Sequence, residues 1–148
     1  MPGTVHTDEP EVLVDLRLSP ELTSPSRARQ ALVPFEGRFD PDTRFKLELL
    51  VSELVTNSVK HARLRGDDQI GLRVTAQESC VRVEVLDPGH GLPEPARVSP
   101  EGGWQYQQAA PDPEWPGGWG LSIVESLADR WGVVQNELTT VWFEVTVR

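Results

Sequence analysis

Residues 41–61 form the longest helix-periodic segment in this 148-residue chain, and a helix of that length crosses most of a small domain. Asp40-Pro41 supplies its start: a capping side chain, then a proline whose missing N–H costs nothing at the first helical position. Phe45, Leu49, Ser52 and Thr56 follow one ridge, and Leu47, Leu50, Leu54 and Val55 make a broad apolar face. That face needs a partner layer, and the rest of the chain reads as one.

Val12, Val14, Leu16 and Leu18 alternate with polar neighbours, as in a strand with one side on a core. Ser24-Pro25 opens a first helix carrying Ala28, Ala31, Leu32 and Phe35, whose end Pro34 frays. Ile70, Leu72, Val74 and Ala76 alternate, then Val81, Val83 and Val85, with Glu78-Ser79 between them; this is a hairpin. Periodicity is absent over residues 88–117, which are rich in Pro, Gly, Gln and Trp, the composition of a functional loop or lid. Leu121, Val124, Leu127, Ala128 and Trp131 fit a third helix. Val133-Val134 and residues 141–147 fit two closing strands around a turn at 136–138. The order β-α-α-β-β-loop-α-β-β predicts an α+β two-layer sandwich, a mostly antiparallel mixed sheet covered on one face by helices. Residues 1–10 read as a tail, residues 11–148 as one domain, and residues from about 93 to 117 as its lid.

Charge narrows the function. Acidic residues outnumber Lys and Arg 23 to 14, which argues against a phosphate backbone as the direct partner. The single cysteine, Cys80, excludes an intramolecular disulfide framework and a cysteine-built zinc site. No apolar run approaches the roughly 20 residues that span a bilayer, and the acidic N-terminus is unlike a signal peptide, so a cytoplasmic setting is expected.

Three segments could carry chemistry. Glu53, Asn57 and His61 recur every four residues, beside Leu50, Leu54 and Ser58. Spacing alone fits a solvated polar face better than a site. The functional alternative gives the Asn57 amide oxygen to magnesium and makes Glu53 a proton acceptor near a terminal phosphate. Asp87, at a strand end before Gly89 and Gly91, is either a plain turn or a carboxylate for an exocyclic amine, with glycines that let a flat ring approach. Gly117-Gly118-Trp119-Gly120-Leu121 precedes a helix, where backbone N–H groups can receive phosphates. It is neither a Walker loop nor a GxGxxG turn.

The order of these boxes is more specific than any one of them. E-L-V-T-N-[SA]-x-x-H-A at 53–62, D-x-G-x-G at 87–91 and G-x-G-[LM] at 118–121 resemble the signature of the GHKL ATPase superfamily, which includes gyrase, the heat-shock chaperone, histidine kinases and MutL. The chain is most similar to its short bacterial branch, the anti-sigma-factor serine kinases of actinobacterial type. Residues 127–132 and 140–142 match that branch too, so the resemblance covers roughly residues 10–148.

The resemblance implies an ATP- and Mg2+-dependent kinase. Asn57 would hold the magnesium, Glu53 would be the general base, and Asp87 would bind adenine in a pocket shaped by Gly89 and Gly91. Gly118, Gly120 and Leu121 would meet the phosphates, Lys60 would approach them, Thr140 would support the adenine end, and His61 would cap the helix. The implied partners are a sigma factor and an anti-anti-sigma protein of STAS type phosphorylated on serine, with a homodimer through the first strand and helix. The sequence departs from the branch in one respect: no Lys or Arg occurs between Arg97 and Gly118, and Trp119 stands where an Arg is common. That favours an alternative from another class, a nucleotide-responsive protein-binding module with little or no catalysis. The catalytic half of a histidine kinase is disfavoured by the short segment before the domain, and gyrase-like or MutL-like ATPases by the absence of a transducer domain after Arg148.

Overall fold

Asp40 shows how the long helix starts. Its Oδ2 accepts a hydrogen bond from the Thr43 backbone N–H at 3.2 Å, and its Oδ1 accepts one from the Thr43 hydroxyl at 2.5 Å. One of the open N–H groups of the first turn is thereby satisfied, and the helix α2 runs Pro41–His61. The computed structural model describes residues 9–61, 64–88, 96–98, 104–106 and 121–147.

Before α2 come strand β1 (Glu11–Leu18), helix α1 (Ser24–Leu32) and a 3-10 turn (Val33–Arg38); after it come β2 (Ile70–Ala76), β3 (Cys80–Asp87), β4 (Ala96–Val98), β5 (Trp104–Tyr106), α3 (Leu121–Leu127), β6 (Arg130–Gln135) and β7 (Thr139–Thr146). The strands form one sheet in the order β1-β2-β3-β7-β6-β5-β4. Every pairing among the described residues is antiparallel. Helices lie on one face, which gives the expected α+β two-layer sandwich. Leu47, Leu50, Val51, Leu54 and Val55 of α2 are buried in one cluster with Leu72, Val74, Val81, Val83, Val85 and Phe143 of the sheet. No described helix is long and apolar enough to cross a membrane.

Several elements differ from the sequence expectation. Val12 is exposed, because the β1–β2 register shifts between Val12 and Val14 and reverses the alternation. Thr23, not Ser24, occupies the α1 N-cap; Ser24 is buried and its hydroxyl donates to the Ser19 carbonyl. Phe35 lies in the 3-10 turn that Pro34 imposes after α1. The expected lid contains two three-residue strands, β4 and β5, too short to show a period in sequence. Trp131 is on β6 rather than at the end of α3. The chain leaves the helix at Asp129, whose N–H donates to the Glu144 carbonyl while its carboxylate accepts the Thr146 N–H at 2.6 Å.

The sheet face away from the helices is closed by charge and one indole. Arg82 donates to Glu84 and to Glu144, each at 3.0 Å, and its guanidinium lies 4.2 Å from the centre of the Trp142 ring. Trp142 in turn covers Gly132, where a Cβ would stand 2.9 Å from the indole Nε1.

Two predictions follow from this packing. Gly132→Ala forces the buried indole to shift and is expected to cost about 1–3 kcal/mol by urea denaturation. Gly37→Ala, whose Cβ meets nothing within 4 Å, serves as the control; equal midpoints for the two variants would show that the indole gives way freely. The second concerns Asp40, whose carboxyl is held below its ordinary value of 3.8 chiefly by the Thr43 hydroxyl, then by the Thr43 backbone N–H. A lowered folded pKa adds stability that is present above the ordinary value and lost as pH falls through the folded one. The stability gap between wild type and Asp40→Ala is therefore expected to hold from neutral pH to about 5 and shrink below about pH 4. An undiminished gap near pH 3 would show that the cap does not depend on the charge.

Candidate functional site

Two adjacent ridges of α2 divide the work. Leu50, Leu54 and Ser58 are buried against the sheet. The neighbouring ridge carries Glu53 and Asn57, one turn apart and both half-buried. Neither Glu53 nor Asn57 makes a side-chain hydrogen bond or ion pair among the described residues, whereas Lys46 on the same helix pairs with Asp42 at 3.2 Å. The amide and the carboxylate are thus held in place by backbone and packing while their polar ends stay uncommitted.

Ser58, the residue after Asn57, turns toward the sheet. Its hydroxyl donates to Asp87 Oδ2 at 2.8 Å, and both residues are only 6% exposed. Asp87 ends β3 on the face that bears Val81, Val83 and Val85, so period-two alternation carries a carboxylate to the rim of the core. A buried carboxylate needs such donors, since an unmet one pays its full desolvation cost.

The register of β7 places one more group there. Asp87 pairs with Thr139, and Val85, Val83 and Val81 pair with Val141, Phe143 and Val145. Thr139, 7% exposed, therefore shares the helix-covered face with Asp87. Thr140, the threonine expected at the adenine end, pairs with Leu86 and belongs to the opposite face with Trp142 and Glu144. Thr139 was legible in principle: counting back by twos from Val145, Phe143 and Val141 arrives at it.

Glu53, Asn57, Ser58, Asp87 and Thr139 are thus brought to one end of the α2–sheet interface. Lys60 is exposed. Leu121 is the first residue of α3, as expected of a helix after a glycine run. Gly89, Gly91, Gly118 and Gly120 lie outside the described residues, as does most of the expected lid. A separate groove of about 440 Å³ opens on the other sheet face, lined by Asp15, Arg17, Arg73, Glu84, Leu86 and Leu138 among others. There Arg73 sits opposite Asp15 on one side and Glu84 on the other, so its charges offset one another. Of the motif segments only Pro88, at a variable position of the 87–91 box, lines it among the described residues.

Comparison with known proteins places the chain in a family. The profile of the histidine kinase-like ATPase domain matches residues 18–145, and the chain belongs to that family. It is also 29% identical over 128 residues to the serine-protein kinase RsbW of Listeria monocytogenes serotype 4a (strain HCC23), covering 86% of this chain and 79% of the relative. The RsbW proteins of two serotype 4b strains, CLIP80459 and F2365, match to the same extent.

Proposed function

We propose that this chain is an ATP-dependent protein serine kinase that also acts as an anti-sigma factor, binding a sigma factor and phosphorylating a small anti-anti-sigma partner of STAS type. The observation that carries the reading is the pairing of an uncommitted Glu53–Asn57 ridge with an Asp87 carboxylate tied to the same helix turn through Ser58. Similarity to serine-protein kinases supports the choice of acceptor.

In this reading Asp87 accepts a hydrogen bond from the adenine amine, and Thr139 supports it from the paired strand. Gly89 and Gly91 shape the ring pocket, and Gly118, Gly120 and Leu121 meet the phosphates. Asn57 suits magnesium, which takes one or two protein oxygens beside substrate phosphates; no cluster of His, Cys, Asp or Glu among the described residues would hold a metal by itself. The ion supplies charge neutralisation at the phosphates. Glu53 accepts the proton of the partner's serine hydroxyl; the serine oxygen bonds to the γ-phosphorus as the bond to the ADP oxygen breaks, and ADP leaves.

The second reading is a nucleotide-responsive binding module. It is favoured by the absence of Lys and Arg between Arg97 and Gly118, which leaves transferred charge without a basic lid residue.

Labelled ATP with magnesium and candidate STAS-type proteins separates the two. Under the kinase reading Glu53→Ala is expected to lower serine phosphorylation by about 10²–10⁴-fold while nucleotide affinity changes little. Asn57→Ala is expected to weaken ATP binding in magnesium more than in EDTA. Binding without transfer to any candidate supports the module, and a wild type that binds no ATP removes both readings. The two threonines give an independent check. Thr139→Val is expected to weaken ATP binding roughly fivefold, the scale of one hydrogen bond, and Thr140→Val to leave it near wild type, by calorimetry. The reverse order would mean that the site lies on the other sheet face.

A further inference from the structure

Ser58, like Asp87, is a motif residue whose polar side chain is buried rather than turned toward the open flank. Asn57 and Ser58 are neighbours in sequence, yet the roughly 100° step between them on α2 sends the first to the half-buried ridge and the second to the sheet. The hydroxyl donates to Asp87 Oδ2 at 2.8 Å across 29 residues of sequence. A serine at this point of an otherwise apolar ridge (Leu50, Leu54) loses packing relative to a larger aliphatic residue. What it gains is a directional hydrogen bond to one oxygen of a carboxylate, which restrains its acceptor.

We infer that Ser58 is a positioning residue for purine choice: by helping to hold Asp87, it sharpens the carboxylate's discrimination of a 6-amino purine from a 6-oxo purine. The inference rests on the nucleotide reading of Asp87 above. A carboxylate only accepts hydrogen bonds, so it pairs with an exocyclic amine and opposes an exocyclic carbonyl. That contrast is sharp only if the carboxylate cannot swing aside. With Ser58 in place, turning Asp87 away breaks a buried hydrogen bond; without it, the carboxylate loses one of its restraints, which weakens its hold on the amine and eases the clash with the carbonyl.

The test measures the affinity of the full chain for ATP and for inosine triphosphate, each with magnesium, by calorimetry. Wild type is expected to favour ATP. Ser58→Ala is expected to reduce the ATP-to-ITP preference about tenfold, mainly through weaker ATP binding, while Ser58→Thr, which keeps the hydroxyl, retains the wild-type preference. Ser58→Cys, a weak donor of similar size, is expected to fall between and reads the same ratio if the alanine variant folds poorly. A purely structural role would lower the two affinities together and leave their ratio unchanged, which overturns the inference while leaving the nucleotide reading intact. So would a folded Ser58→Thr that discriminates no better than Ser58→Ala. A wild type that binds ATP and ITP equally, or neither, instead overturns the role of Asp87 and this inference with it.

Discussion

The site depends on how one long helix is pinned to one face of a sheet. Leu47, Leu50, Val51, Leu54 and Val55 bury together against the Val81, Val83, Val85 and Phe143 face, and apolar burial of this kind sets the rotation of α2 about its own axis. Once that rotation is set, the ridge beside the buried one must carry Glu53 and Asn57 at the edge of the core. Hydrophobic contact is non-directional, however, and by itself would tolerate some sliding of the helix along the strands. The Ser58–Asp87 hydrogen bond removes that freedom at the end where the motif residues meet.

The opposite sheet face is built on different physics. Arg82 bridges Glu84 and Glu144 and covers Trp142, while the indole fills the space left by Gly132. Arg82, Glu84 and Glu144 are paired on that face, and the 440 Å³ groove there is lined by Asp15, Arg17, Arg73 and Glu84 among others. On the helix-covered face the polar groups are few, and Glu53 and Asn57 are uncommitted.

Much of the fold was legible because its periods are long. The 41–61 helix and the 70–76/80–87 hairpin run through enough repeats for chance to be excluded, and both stand where the pattern put them. Trp131 departs from expectation because i, i+3, i+6, i+7 and i+10 spacing cannot register that Asp129 finds partners on β7 rather than in another helical turn. Val12 was misread because a bulge is a property of two strands and leaves no mark on one. The three-residue strands β4 and β5 lie below the length at which any period can be detected.

The sequence by itself determined which residue types could serve as ligands, and in what order: a Glu-Asn pair on one helical ridge, an aspartate at a strand end, glycines before a last helix. It also determined the layer architecture, since 3.6-fold and twofold hydrophobic periods each bury one side of their element. Only the tertiary structure decided which of two adjacent threonines faces Asp87, because that choice is set by strand register, and a shift of one residue exchanges the faces. Only it showed that Ser58 reaches Asp87, a contact between groups 29 residues apart. Spacing along one element is local information; which elements lie against each other, and in what phase, is settled by the burial they achieve together.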